Sequence, residues 1–190
     1  MREARVSNLE EYRRWKLMED VEPNWLVTRL TTDETTEKML AGTAFHKAFE
    51  TAEAQEYNVL TANGYRFDIL CDAEICLPQL QEVTLAKPYG DLLVRGTLDG
   101  LGGAVVTELK TTGQFDPDRY LESLQWRMYL DLSEADRFDY HVFVTSEAGE
   151  KHYEVYGYHQ LTQYRYPRLH KDCMEAASEY LLFADRFLPA

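Results

Sequence analysis

Asp99, Glu108 and Lys110 are the residues whose types and spacing could do chemistry. They lie in two short apolar runs, Gly96-Thr97-Leu98-Asp99 and Glu108-Leu109-Lys110, on either side of Gly102-Gly103. A β-run that carries charges needs a reason, because a buried charge is costly unless it is paired or bound to a metal. Two neighbouring carboxylates repel, and a hard divalent cation relieves that repulsion. Mg²⁺ is commonly held by one or two carboxylates together with substrate phosphate. A lysine beside them can orient or help deprotonate a metal-bound water and offset charge that builds on the phosphate. Divalent-metal phosphodiester chemistry therefore accounts best for the trio. An ordinary surface Glu–Lys pair would explain a lone Glu-x-Lys, but Asp99 on the preceding strand weakens that reading.

A hairpin has to position these groups. With Gly102-Gly103 as a two-residue turn closed by Leu101 and Ala104, Asp99 opposes Val106 and Thr97 opposes Glu108. Period-two alternation then puts Asp99, Glu108 and Lys110 on one face, with Asp99 and Glu108 as diagonal neighbours.

The flanking elements follow from local signals. Residues 6–18 read as a short helix capped by Ser7 or Asn8, with Glu10 or Glu11 as capping-box partner. Residues 19–36 look irregular. Thr35 or Thr36 caps a second helix running to about residue 55, with Met39, Leu40, Thr43, Ala44 and Ala48 as its packing face. Residues 58–80 read as a strand, alone or followed by a short helix. EVTLAKPY, DLLVRGTLDGL and AVVTELKTT are β-rich runs separated by a Pro-Tyr-Gly turn and a Gly-Gly turn. Asp116-Pro117 starts a helix, with Asp as N-cap and Pro at its first position, that extends through DRYLESLQWRMYLDLS. The strands DYHVFVT and KHYEVYGY follow around the turn EAGE. A long C-terminal helix reaches about Phe187, broken or kinked near Pro167. This order predicts an α+β or mixed α/β fold in one domain spanning residues 1–190.

Composition sets bounds. The chain has 190 residues, 45% hydrophobic and 28% charged, the balance of an ordinary soluble globular protein. It has no apolar run of membrane length. Its start, MREARVSNLEEYRRWK, lacks the apolar stretch of a secretory signal, so a cytosolic protein with no membrane partner is expected. Cys71, Cys76 and Cys173 form no Cys-x-x-Cys pair and read as reduced, partly buried thiols, too few for an ordinary Cys-ligated iron–sulfur cluster. The net charge of −13 weighs against a protein that grips nucleic acid over a wide basic face. It leaves room for a small footprint with bound cations, and for a binding protein whose acidic surface imitates DNA. The Arg13-Arg14-Trp15-Lys16 cluster reads as a solvated face, and Tyr153, Tyr156, Tyr158, Tyr164 and Tyr166 as sheet and helix packing.

Two helical pairs complete the set. His46 and Glu50 share a face at i,i+4 spacing, as do Gln125 and Tyr129. Imidazole with carboxylate suits a metal, and amide with phenol suits a phosphate or a base. Each pair alone reads as packing or solvated polarity.

In order, Gly42-x-x-x-His46, Gly96-x-x-Asp99, Glu108-Leu109-Lys110 and Gln125-x-x-x-Tyr129 resemble the RecB-like branch of the PD-(D/E)xK nucleases. The resemblance spans residues 42–129. It implies a restriction-endonuclease-like core, a central mixed β-sheet flanked by helices. It also implies that Asp99 and Glu108 ligate one or two Mg²⁺ or Mn²⁺ ions with the backbone carbonyl of Leu109, that Lys110 serves the attacking water, and that His46 is a further ligand or positions a second metal. Gln125 and Tyr129 would hold the DNA strand near the scissile phosphate. In such proteins the substrates are DNA ends and the products carry 5′-phosphates. The chain lacks the four cysteines that some relatives use for an iron–sulfur cluster, and it lacks a helicase phosphate loop. It therefore looks like a stand-alone phage or prophage recombination exonuclease. A single-strand annealing protein and further copies of the chain are the partners such a resemblance suggests. A structure- or site-specific endonuclease on the same fold is the alternative enzyme.

Overall fold

A computed structural model describes residues 1–32, 35–51, 58–72 and 80–189. Cys76 and the possible helix after the strand near residue 70 lie outside the described residues.

The central β-run is built as the sequence predicts. Strands β4 (Leu80–Tyr89), β5 (Leu92–Gly102) and β6 (Val105–Thr112) form a meander. Gly90, with φ +63°, turns the first hairpin without the Cβ penalty other residues would meet. The second hairpin turns one residue later than expected. Gly102 pairs with Val105 and Gly100 with Thr107, so Gly103 (φ +60°) and Ala104 form the turn. Gly103 takes the left-handed conformation most readily, and the turn closes where that residue is needed. In that register Asp99 comes opposite Glu108 rather than Val106, but the ladder stops at Gly100.

β5 changes partners along one edge. Strand β1 (Arg2–Arg5) lies parallel to Leu92–Arg95, and β6 takes over at Gly100–Gly102. Between them, Gly96–Asp99 has no ladder partner on that edge. On the other edge Gln81 pairs with Gly100 and Val83 with Leu98, which brackets Glu82, a residue with φ +52°, opposite Asp99. Leu98 and Leu101, three residues apart, both pack into the same core. The alternation therefore breaks at Asp99-Gly100, and the single shared face expected for the trio gives way to a notch between diverging strands.

The sheet continues through β7 (Arg137–Gly149), parallel to β6, and β8 (His152–Tyr164), antiparallel to β7. It then adds β3 (Tyr65–Ile69), parallel to β8, and β2 (Val59–Ala62), antiparallel to β3. Among the described residues it is an eight-stranded mixed sheet. The stretch read as a single strand is thus a hairpin turned by Asn63-Gly64, the dipeptide that favours such turns. Seven successive residues, Phe138–Val144, are buried because helices cover both faces of β7.

One face carries α1 (Val6–Lys16), α5 (Leu124–Ser133) and α6 (Leu169–Phe187) over Leu92, Val94, Leu98, Val106 and Val142. The other carries α3 (Glu37–Thr51) over Phe67, Leu109, Phe143 and Val155. α3 buries Ala41, Ala44, Phe45, Ala48 and Phe49, while Met39 and Leu40 are exposed, so its packing face is rotated from the expected one. The rotation seats two phenylalanines, which bury more apolar area than Met39 and Leu40 would. Thr36 Oγ1 accepts from Met39 N and caps this helix as predicted.

Four further expectations are corrected. Residues expected to be irregular include helix α2 (Pro23–Thr31), which starts on Pro23 and seats Leu26 in the interior. α1 begins at Val6, directly after β1, and Asn8 Oδ1 accepts from Arg5 N in place of a Ser7 cap. The helix after Asp116 is two helices, α4 (Pro117–Leu121) and α5, because Ser123 caps a new start by accepting from Gln125 N. Pro167 lies before α6 rather than within it, so that helix is unbroken. Arg13 and Arg14 are paired with Glu10 and Glu11, and Lys16 with Glu179, which neutralises the basic cluster. Tyr153 and Tyr158 pack against the second core and Tyr166 against the first, while Tyr156 and Tyr164 are exposed. Among the described residues no helix is long and apolar enough to cross a membrane.

Candidate active site

The notch between β5 and β6 collects the predicted residues from four elements, β5, β6, α3 and α5. Asp99 fills the place of the missing ladder bond, its Oδ2 accepting from Leu109 N at 2.7 Å. A strand residue projects its N–H and C=O to the same edge, so the Leu109 carbonyl faces the same notch. His46 reaches in from α3, with Nδ1 3.4 Å from Asp99 Oδ1. Glu108 and Lys110 come from β6 on the side of α5. Glu108 Oε1 accepts from Lys110 Nζ at 2.6 Å and from Gln125 Nε2 at 2.8 Å.

The other oxygen of Glu108 is the exception. Oε2 is buried and has no hydrogen-bond partner, the only such side-chain atom among the described residues. Leaving a charged acceptor unsatisfied in the interior costs free energy that folding would normally avoid. The cost appears in its acidity: burial pushes the Glu108 carboxyl up to about 7, against the opposing pull of Lys110. Burial acts on Lys110 in the other direction, but Glu108 and Asp99 outweigh it and hold the ammonium above its ordinary pKa. Burial would also raise Asp99. His46, Lys110 and the Leu109 amide overcome that, and its carboxyl stays below the usual range. His46 is correspondingly raised, Asp99 outweighing the cost of burial.

Gly96 explains the glycine of Gly-x-x-Asp. A Cβ built there would lie 2.6 Å from Tyr129 Cε1 and 3.1 Å from Leu132 Cδ1. Its absence lets the Tyr129 ring close over β5 beside the notch. Gly42 is different, because a Cβ there would make only an ordinary 3.5 Å contact with Thr111 Oγ1. Tyr129 is buried, and Gln125 is tied to Glu108, so both residues of that helical pair line the site from within.

Glu82 and Glu50 extend the acidic side. Burial raises the Glu82 carboxyl, and a hydrogen bond from the Glu50 side chain adds to it, with the charges of Asp99 and His46 close by. Sequence reading linked Glu50 to His46 but missed Glu82. Counting back from a turn at Gly90-Asp91 would have put Glu82 opposite Asp99, since Tyr89 pairs with Leu92.

The donor set fits a hard divalent cation: two carboxylates, a strand carbonyl on the same edge and an orphaned buried oxygen. As they stand, no three His, Cys, Asp or Glu side chains among the described residues are set to hold an ion. Lys110 instead supplies positive charge to the carboxylates, and His46 does so when it is protonated.

A central mixed sheet flanked by helices makes this a mixed α/β fold that resembles those of PD-(D/E)xK exonucleases. Solved structures bear this out at the level of fold. The chain is similar to an alkaline exonuclease (LHK-Exo) from Laribacter hongkongensis, with a TM-score of 0.53 and 16% identity over 98% of this chain and 89% of that one. The same enzyme in complex with dAMP gives a TM-score of 0.52 and 17% identity over 97% and 89%. The crystal structure of SSO0001 gives 0.56 and 12% identity over 96% and 76%. No protein-family model and no curated protein sequence matches the chain.

Proposed function

We propose that this protein is a metal-dependent deoxyribonuclease of the RecB-like type, acting as an exonuclease on DNA ends. The observation that carries this reading is the buried, unpartnered Oε2 of Glu108 beside Asp99 and Lys110. The likeness in fold to an alkaline exonuclease, one structure of which holds dAMP, supports it.

Asp99 and Glu108, with the Leu109 carbonyl, would hold Mg²⁺ or Mn²⁺, and His46 would serve as a further ligand. Bound there, the cation supplies Lewis-acid activation of the phosphate and of water. Lys110 orients the attacking water and balances charge on the phosphate in the transition state. Gln125 fixes one oxygen of Glu108, which leaves the other directed to the cation. Gln125 and Tyr129 close the site on the side where the DNA strand passes.

The test is digestion of end-labelled linear DNA beside a covalently closed circle, in Mg²⁺, in Mn²⁺ and in EDTA, with Lys110→Ala as control. Metal-dependent loss of the linear substrate alone is expected, and the position of the label then gives the polarity. Lys110→Ala should lower the rate by at least about 10³-fold, on the order of 4 kcal/mol of transition-state stabilisation, with its fold intact. Cutting of the circle would make the enzyme an endonuclease. Survival of both substrates would favour the acidic DNA-mimic reading.

A further inference from the structure

The segment that leaves the active-site strand ends in a stack of rings. The Phe115 ring lies parallel to the His159 imidazole, with centroids 3.8 Å apart and planes 5° apart. Tyr120 continues the stack on Phe115 at 6.0 Å and 21°. Phe115 and Tyr120 are anchored in the first core, whereas His159 is exposed. Among the described residues Phe115 is the ring neighbour of His159, which leaves the imidazole as the open end of the stack.

This stack sits in register with the active site. Lys110 pairs with Val142, and Val142 pairs with His159. The two ends of that row are therefore two strands apart, roughly 10 Å at ordinary strand spacing. The connecting loop is held in place. Thr112 Oγ1 donates to the Gln114 carbonyl at 2.7 Å and accepts from Gln114 N, and the Tyr156 hydroxyl donates to the Gly113 carbonyl at 3.4 Å. A platform fixed in this way loses little freedom when it is covered.

We propose that the outer face of His159, backed by Phe115, is a stacking platform for an unpaired nucleobase of the DNA strand held at the active site. The proposal rests on the nuclease reading above. Roughly 10 Å from Lys110 corresponds to about three nucleotides at the stacked spacing of about 3.4 Å. The chemistry selects a base over a phosphate, because Asp116 and Asp118, exposed in the segment that follows Phe115, outnumber the exposed Arg119 and disfavour anions there. Stacking on an aromatic plane also tolerates any base, which suits an enzyme that must pass every sequence. With a net charge of −13, the protein has few phosphate contacts to rely on, so a neutral contact of this kind has a larger part in holding the strand.

The test uses the full-length protein and single-stranded oligonucleotides with 2-aminopurine at each of the first four positions from either end. Binding is followed by fluorescence in Ca²⁺, and cleavage kinetics in Mg²⁺. The wild-type protein should quench the probe at one or two adjacent positions. His159→Ala should lose that quenching, and His159→Phe should keep it. His159→Ala should raise KM about 5- to 100-fold with kcat within about twofold, the range that stacking of one base provides. Quenching and KM equal to wild type in His159→Ala, with the wild-type protein degrading DNA, would overturn the platform alone. So would a fall in kcat at unchanged KM. A wild-type protein that neither binds nor cuts DNA would remove the nuclease reading, and the platform with it.

Discussion

Two carboxylates are buried against α5 to the same degree and treated in opposite ways. Asp131 is 1% exposed and Glu108 is 3% exposed. Asp131 Oδ2 accepts from the Tyr89 hydroxyl at 2.7 Å and from Lys87 Nζ at 3.2 Å, with His170 Nδ1 at 3.0 Å, and Arg165 lies 4.0 Å from the other oxygen. Burial would raise its pKa, but His170, Tyr89 and Lys87 overcome that and hold the carboxyl below the usual range. Glu108 has two donors on one oxygen and none on the other, and its carboxyl is pushed up to about 7. A fold able to surround Asp131 with donors had the means to satisfy Glu108. Leaving it short is what the proposed metal site would require, with a ligand rather than the protein completing the shell.

If the contrast is real, Asp131 is a structural acid and its loss should be felt in stability. It joins α5 to β4 and to α6 through Lys87, Tyr89 and His170. Asp131→Ala strands a lysine and a buried phenol. Removing one partner of a buried pair costs about 3–5 kcal/mol. A fall in Tm on the order of 10 °C is expected, with nuclease activity per folded molecule retained well below that temperature. Normal thermal stability in Asp131→Ala would break the comparison.

The glycines of the two motifs give a smaller contrast. At Gly96 an added methyl meets Tyr129 at 2.6 Å, a ring packed between α5 and β5, so something must shift. Overpacking of this kind costs about 1–3 kcal/mol. It also moves the helix that holds Gln125 against Glu108, so activity should fall with stability. At Gly42 the added methyl meets Thr111 Oγ1 at 3.5 Å, and Gly42→Ala fits. Helix propensity even favours it by just under about 1 kcal/mol. Thermal melts of the two alanine variants, side by side, decide whether close approach is the reason for the glycine at each position.

Most of the site was legible because its residues violate the pattern around them. Charges in apolar runs pointed to Asp99, Glu108 and Lys110, whereas His46 and Gln125 were singled out by the family resemblance, because their helical pairs alone read as packing or solvated polarity. The register was not legible in detail. A Gly-Gly pair permits two turn positions, and the structure closes on Gly103-Ala104. Glu82 was hidden because its role depends on a strand seventeen residues away along the chain, although the hairpin count was available. β1 is a four-residue strand whose pairing to β5 is wholly non-local, so it left no periodic signal, and α2 spaces Leu26 and Leu30 one turn apart over a run of nine residues, too short for its period to stand out. The Asn63-Gly64 hairpin was missed for a different reason. Its dipeptide is a strong turn signal, but the runs on either side are too short to show alternation.

The finest distinction between the two acids is the sign of their pH dependence. Asp131, with a lowered pKa, contributes stability above the ordinary carboxyl range and loses it as pH falls through that range. Glu108 behaves oppositely. Below about 4.5 it is protonated in folded and unfolded chains alike. Between about 4.5 and about 7 the unfolded chain releases the proton first, which costs the folded state, and above about 7 the cost is complete. Glu108→Gln removes that titration while keeping an acceptor for Lys110 and Gln125. In EDTA at pH 8 the variant should therefore melt higher than wild type, by on the order of 1 kcal/mol or about 3 °C, and at pH 4 the two should coincide. Adding Mn²⁺ should raise the wild-type melt at pH 8 and leave Glu108→Gln nearly unmoved, because the cation supplies the charge that the orphaned oxygen lacks. A Gln variant that melts lower than wild type at pH 8 without metal would mean that ionised Glu108 is a satisfied structural acid after all, and that the two carboxylates differ in degree rather than in kind.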